Sequence, residues 1–404
     1  MSKIIKKGRA RGTINPPPSK SLAHRYLICA AFSNGESVID NIELNEDVSA
    51  TLDCIKALGG EAKWEKGKVF VKGIKEIPQD EVVFKCRESG STIRFFMGIC
   101  LCLGIKGRFY GAQRLMERPY VIYEELCQKE GIPFIKNKDC IEIKGKLKNL
   151  DIQVAGNISS QFITGLLLGI EAAGGGHSIE IIPPFESRSY INLTVYALET
   201  FGVKCEWQGD NKLKVPGGIR FTPKDVTVEA DCSNAAFFDA FNVLGGDVKI
   251  TGINPKSLQG DRVYYELFRK LSKEKAFIDI SDCPDLGPIL FGVAAALKGG
   301  VFKGTDRLEI KESKRGTVMC EELAKFGVVT HQGEDTIEIE GGLLGEPKET
   351  LCGHNDHRIV MTMAVLLTLT GGKISEDKAV NKSFPGFFER LGELGIEVTD
   401  DGMD

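Results

Sequence analysis

The stretch LCQKEGIPFIKNKDCIEIKG, Leu126 to Gly145, decides the fold. It reads as a helix end at Leu126, a stop at Gly131-Ile132, a short strand, a polar turn, and an alternating strand at Ile141-Glu142-Ile143-Lys144-Gly145. Gly131 suits a helix C-cap, where the backbone turns left-handed and a Cβ is unwelcome. The same unit recurs along the chain. Leu52 to Gly73 carries Gly59-Gly60 and Lys68-Val69-Phe70-Val71-Lys72-Gly73. Leu198 to Gly217 carries Phe201-Gly202-Val203 and Lys212-Leu213-Lys214-Val215. Leu323 to Gly341 carries Phe326-Gly327-Val328 and Thr336-Ile337-Glu338-Ile339-Glu340. Leu391 to Val398 repeats the helix stop at Gly395, and a weaker fourth copy lies near Leu267 to Ile280.

The stop glycines are evenly spaced. Gly59 to Gly131 is 72 residues, Gly131 to Gly202 is 71, and Gly327 to Gly395 is 68. Six units of that size fill the 404 residues, a length that calls for two or three domains. Alternating strands meet helices on one face and solvent on the other, and the short links between paired strands favour antiparallel neighbours. Gln161-Phe162-Ile163-Thr164-Gly165-Leu166-Leu167-Leu168-Gly169-Ile170 is apolar nearly all round, which marks a buried helix. The expectation is an α/β chain of two domains, each of three repeats, with helices inside and sheets outside. The linker-like Pro216-Gly217-Gly218 to Pro223 sets the boundary: 14–220 as one domain, 1–13 with 221–404 as the other.

Composition excludes several classes. With 42% hydrophobic and 27% charged residues the chain is neither disordered nor fibrous. A net charge of −4 gives no bulk pull on nucleic acid, yet leaves room for a local basic cleft. The 12 cysteines form no Cys-x-x-Cys pair and sit in apolar runs such as Ile99 to Leu103, so buried free thiols are expected. The first residues lack an apolar signal core, and the longest apolar runs are too short to span a bilayer, so a cytoplasmic protein is expected.

The chemistry-bearing motifs sit where buried helices begin. Pro16-Pro17-Pro18-Ser19-Lys20-Ser21 precedes one, with Arg25 a turn further on. Free backbone N–H groups at a helix start, joined by a lysine and hydroxyls, attract anions. Glu88-Ser89-Gly90-Ser91-Thr92-Ile93-Arg94 opens a second, where Gly90 allows close approach to the backbone. Glu117-Arg118-Pro119 sets a guanidinium before a helix-starting proline, able to clamp a carboxylate or phosphate two-fold. Gly156-Asn157-Ile158-Ser159-Ser160-Gln161 holds more polar groups than one cap needs. Lys311-Glu312-Ser313-Lys314-Arg315, Asn355-Asp356-His357-Arg358 and Lys382-Ser383-Phe384-Pro385 add cations, and Asp285 precedes another apolar run. Each motif alone reads as a cap or a solvated charge run. Together, at equivalent points of one repeat, they describe a cationic cleft for phosphorylated and carboxylated small molecules, with Asp285, Glu312 and Lys20 as candidate acids and bases.

This ordered set resembles the 3-phosphoshikimate 1-carboxyvinyltransferase (EPSP synthase) family over the whole chain. The resemblance implies the enolpyruvyl transferase fold, an inside-out α/β barrel with three βαβαββ units in each domain and the active site in the interdomain cleft. It implies transfer of the enolpyruvyl group of phosphoenolpyruvate to the 5-hydroxyl of shikimate 3-phosphate, a step toward chorismate and the aromatic amino acids. Shikimate 3-phosphate would be held by Lys20, Ser21, Arg25, Ser159, Ser160, Gln161, Ser187, Asp285 and Lys311. Phosphoenolpyruvate would be held by Lys20, Gly90, Arg118, Gln161, Arg315, Arg358 and Lys382. Asp285, Glu312 and Lys20 would move protons. No metal or cofactor is implied, and a monomer acting on these two substrates is expected.

Three positions depart from the family pattern: Lys314 stands where Asp is usual, Glu88 and His24 where Asn is common. None removes a proposed catalytic group. Two other readings fit the same scaffold. An enolpyruvyl transferase acting on UDP-N-acetylglucosamine usually carries a reactive cysteine after its Arg-Pro-like motif, whereas Arg118-Pro119 here meets no cysteine before Cys127. A non-catalytic phosphometabolite-binding protein would be expected to lose Asp285, Glu312 or Lys20, and all three are present.

Overall fold

The structure is a computed structural model that describes residues 2–402. It divides into two compact units, Met1–Pro17 with Ala230–Asp404, and Pro18–Glu229. Strand pairing explains these limits. Arg11–Ile14 lies parallel to Asp247–Ile250, so the chain through Pro17 packs with the C-terminal half. Val226–Thr227 lies parallel to Glu36–Asp40, which keeps 221–229 with the N-terminal half rather than beyond a boundary at 220.

The Pro18–Glu229 unit repeats one four-stranded sheet three times. In each, the first strand is parallel to the second, and the hairpin adds its later strand beside the second: Val82–Lys85, Gly107–Tyr110, Cys140–Ile143 and Phe134–Lys136 show the order. Ile152–Ala155 opens an identical sheet. The first sheet takes its opening strand, Val226–Thr227, from the far end of the unit. Leading into the second strand of each sheet runs a helix almost entirely buried: Lys20–Ala31, Gly90–Leu103 and Ser160–Ala172. Burying each large apolar side chain on these helices stabilises by roughly 1.5–3 kcal/mol. Two of them cross at bare backbone. A Cβ on Gly98 would lie 2.4 Å from the Gly165 carbonyl carbon, and one on Gly165 would lie 2.5 Å from the Arg94 carbonyl oxygen. The stop glycines Gly59, Gly131 and Gly202 all take positive φ, as C-caps demand.

The other unit uses the same plan. Cys232–Val243, Gly287–Ala296 and His357–Thr370 are its buried helices. Ala276–Asp279, Gly300–Lys303, Thr336–Ile339 and Thr330–Gln332 form the full four-stranded sheet. The last sheet is completed by the N-terminal strand Ser2–Ile5, which lies between Gly372–Ser375 and Val398–Asp400. The fourth repeat is abbreviated. Helix Tyr264–Lys273 runs straight into Ala276–Asp279, which pairs with the next sheet, so this repeat keeps two strands and no hairpin. That accounts for its faint trace in the sequence.

No disulfide links the 12 cysteines, ten of which are buried. No helix among the described residues is long and apolar enough to cross a membrane.

Candidate active site

In the Pro18–Glu229 unit the helix starts gather through side-chain hydrogen bonds. Arg25 is buried one turn into Lys20–Ala31. Its Nε donates to Thr194 Oγ1 at 2.8 Å, Nη1 to the Ser21 carbonyl at 2.6 Å, and Nη2 to Thr164 Oγ1 at 3.3 Å and the Tyr190 carbonyl at 3.1 Å. Burial lowers its pKa to about 10. Lys20 Nζ is salt-bridged to Asp47 at 2.6 Å. Gln161 links two helix starts: its Oε1 accepts from Arg94 Nη1 at 2.6 Å and its Nε2 donates to Ser91 Oγ at 3.0 Å. Ser159 caps its helix, accepting from the Gln161 N–H at 3.3 Å, and Ser160 is buried behind it. Ser187, buried, opens Arg188–Thr200 with φ of 54°, a left-handed turn held without glycine. Gly90 leaves space for arginine: a Cβ there would lie 2.6 Å from Arg118 Nη1 and 3.2 Å from Arg94 Nη1.

Two local expectations change. Ser19 occupies the N-cap position but its side chain makes no capping bond, so Lys20 begins the helix without a hydroxyl cap. The helix after Arg118 starts at Val121, not at Pro119; Arg118 and Pro119 lie in the extended link before it. Arg118 is nonetheless buried beside Gly90.

In the other unit the cations converge on a carboxylate. Asp285 Oδ1 accepts from Arg315 Nη1 at 3.0 Å and lies 3.5 Å from Lys311 Nζ; Oδ2 accepts from Arg358 Nη2 at 3.1 Å. Burial pushes this carboxyl up, but Arg358, Lys311 and Arg315 outweigh burial and hold it well below the ordinary carboxylate range. Burial likewise lowers Lys311, to about 8. Lys382, buried, donates from Nζ to the Asn355 carbonyl at 2.5 Å. Lys314 is the exposed residue that precedes helix Arg315–Lys325.

Arg315, expected to hold phosphoenolpyruvate, is engaged by carboxylates in this structure. It is buried and spans three carboxylates: Asp356 at 2.8 Å from Nε, Glu312 at 2.5 Å from Nη2, and Asp285. Burial disfavours its charge, but those carboxylates raise its pKa above the usual value. In this structure it orders Glu312 and Asp285 relative to each other.

Four residues were not singled out from the sequence. Asp47 resembled a first-turn acid of Glu46–Ala57, and Asp356 a helix cap, which it also is, accepting from the Arg358 N–H at 3.0 Å. Arg94 stands five residues past Ser89, inside the buried helix Gly90–Leu103. Asp261, hydrogen-bonded to Ser233, is pushed up to about 6 by burial and by the nearby Asp285. Only the recurrence of polar residues at helix starts hinted at any of them.

What this arrangement can do is bind anions at a cationic cluster in each unit, one of which surrounds an ionised carboxylate. The sequence model of "EPSP synthase (3-phosphoshikimate 1-carboxyvinyltransferase)" matches residues 4–391. A 3-phosphoshikimate 1-carboxyvinyltransferase of Clostridium perfringens (strain 13 / Type A) is 36% identical, with 97% of this chain and 98% of the relative covered. That of Clostridioides difficile (strain 630) is 33% identical, covering 97% of each. Among solved structures, EPSP synthase from Acinetobacter baumannii superposes with a TM-score of 0.77 at 24% identity, covering 99% of this chain and 100% of that one. The enolpyruvyl transferase NikO from Streptomyces tendae superposes with a TM-score of 0.74 at 13% identity, covering 98% of each. These two likenesses establish the enolpyruvyl transferase fold, and the match along nearly the whole sequence goes further: the chain belongs to the EPSP synthase (3-phosphoshikimate 1-carboxyvinyltransferase) family.

Proposed function

We propose that this enzyme transfers the 1-carboxyvinyl group of phosphoenolpyruvate to the 5-hydroxyl of shikimate 3-phosphate and releases phosphate, with the residues of both units serving one reaction. The observation that carries the reading is Asp285, kept ionised by Arg358, Lys311 and Arg315.

Shikimate 3-phosphate is assigned to Lys20, Ser21, Arg25, Ser159, Ser160, Gln161, Ser187 and Lys311, with Asp285 at its 5-hydroxyl. Phosphoenolpyruvate is assigned to Lys20, Gly90, Arg118, Gln161, Arg315, Arg358 and Lys382, and Arg315 also sets Glu312 and Asp285 relative to each other. Protonation of the methylene carbon leaves a cation-like C2. The 5-oxygen bonds to C2 as Asp285 takes the hydroxyl proton. The methyl carbon of that adduct then returns a proton, the C2–O bond to phosphate breaks, and the vinyl ether forms. Glu312 and Lys20 are the groups for the proton traffic at carbon.

Free Asp285 is a weak base because three cations hold it. Bound phosphate and carboxylate groups neutralise those cations, so its proton affinity rises when the substrates arrive. Positioned proton transfer is worth about 10²–10⁴-fold. Orientation of two bound reactants adds roughly 7–11 kcal/mol. The enzyme is read as a cytoplasmic monomer acting on these two small anions.

Proton NMR of a reaction in D2O tests the reading. Vinyl ether carrying deuterium in its methylene group is expected from phosphoenolpyruvate with shikimate 3-phosphate. A vinyl ether formed only with UDP-N-acetylglucosamine would overturn the assignment of the acceptor.

A further inference from the structure

We infer that Glu322 and His354, both outside the residues assigned to substrate, are positioning residues for the phosphoenolpyruvate clamp. The inference rests on the function proposed above.

The segment that delivers Asp356 and Arg358 is held in an unfavourable shape. His354 has φ of 47° and Asn355 φ of 49°, two successive left-handed residues without glycine. Such a pair persists only where surrounding contacts fix it. The contacts come from both ends of helix Arg315–Lys325. At its start Arg315 binds Asp356. Toward its end Glu322, buried, accepts from His354 Nε2 at 2.8 Å and from the Cys352 N–H at 2.9 Å. Lys325 Nζ lies 2.9 Å and 3.0 Å from the two Glu322 oxygens, which balances the buried charge. The His354 N–H turns back to Cys352 Sγ at 3.4 Å, and the Asn355 N–H donates to Glu376 at 2.5 Å.

The left-handed pair has a consequence for ligand binding. It aims the Asn355 carbonyl at Lys382 Nζ and sets the Asp356 cap from which Arg358 reaches Asp285. One loop conformation therefore places two of the cations assigned to phosphoenolpyruvate. Without Glu322 or His354 the loop loses one of its two anchors to the helix and relaxes. The substrate carboxylate then meets a misplaced Lys382 and Arg358, while the shikimate 3-phosphate residues of the other unit are untouched.

Steady-state kinetics of Glu322→Ala, His354→Ala and His354→Gln test this. His354→Gln keeps an N–H donor for Glu322. Each alanine variant is expected to raise KM for phosphoenolpyruvate about tenfold, with KM for shikimate 3-phosphate within about twofold, and His354→Gln to recover most of the loss. His354 is half-exposed, so its variants keep the test open if Glu322→Ala fails to fold. A lowered melting temperature with unchanged kinetic constants in His354→Ala would reduce the pair to a structural role and overturn the inference. Absence of turnover in the wild-type enzyme would instead remove the functional reading, and this inference with it.

Discussion

Arg358 grips Asp285 at two points, with Nη1 donating to its carbonyl oxygen at 3.0 Å and Nη2 to its carboxylate at 3.1 Å. The carboxylate is thus oriented by the cation that also holds it ionised. Asp285→Asn keeps the shape and removes both the charge and the proton acceptor. We expect kcat to fall by about 10²–10⁴-fold. Binding of both anions should hold or tighten, since three cations lose a competing carboxylate. Rapid-quench kinetics with separate titrations measure the two effects, and a kcat within a few-fold of wild type would remove Asp285 as the base.

Gly90→Ala reads the guanidinium beside it. The added Cβ would stand 2.6 Å from Arg118 Nη1, a flexible tip that can yield without disturbing the backbone. The fold should survive and the clamp should shift. KM for phosphoenolpyruvate is expected to rise about tenfold, with that for shikimate 3-phosphate little changed. Equal changes in both would contradict the placing of Arg118 at phosphoenolpyruvate.

Lys311 predicts an alkaline limb. Burial lowers its pKa to about 8, so its positive charge is lost as pH rises through that value. The kcat/KM for shikimate 3-phosphate, which reports the free enzyme, should fall above about pH 8. Lys311→Arg remains charged there, so its limb should move to higher pH. An unmoved limb would assign the titration to another group.

Glu171 predicts a stability profile. It is buried near the end of Ser160–Ala172 with neither carboxylate oxygen hydrogen-bonded, and burial raises its pKa to about 7. The unfolded chain releases this proton near its ordinary value of 4.5. Between those two pH values the folded state holds the extra proton, so stability falls as pH rises, by up to about 3 kcal/mol once pH passes 7. Glu171→Gln stays neutral throughout. Urea denaturation should show the variant gaining on wild type from pH 5 to pH 8, and a constant difference would show that Glu171 does not titrate in that window.

How much the sequence discloses depends on how local the constraint is. Gly59, Gly131, Gly202, Gly327 and Gly395 disclose the repeat because each must take positive φ at a helix end. The fourth repeat hides because its hairpin is missing. The first and last sheets each borrow a strand from the other end of their unit, Val226–Thr227 and Ser2–Ile5, and no periodicity reports such closure. At the site, Lys20, Lys311, Arg358 and Lys382 are legible as surplus cations at or near turns and helix starts. Two of the carboxylates that hold cations there are not: Asp47 and Asp356 fit ordinary helix-start roles, and their ion pairs with Lys20 and Arg315 span 27 and 41 residues of sequence. Arg315 was legible as a cation but not as one surrounded by carboxylates, because only folding brings Glu312, Asp285 and Asp356 around it.

Release of inorganic phosphate tests the central claim most directly. Purified enzyme with phosphoenolpyruvate alone, with shikimate 3-phosphate alone, and with both should liberate phosphate catalytically only in the third mixture. No release from the complete mixture, or equal release when UDP-N-acetylglucosamine replaces shikimate 3-phosphate, would contradict the account.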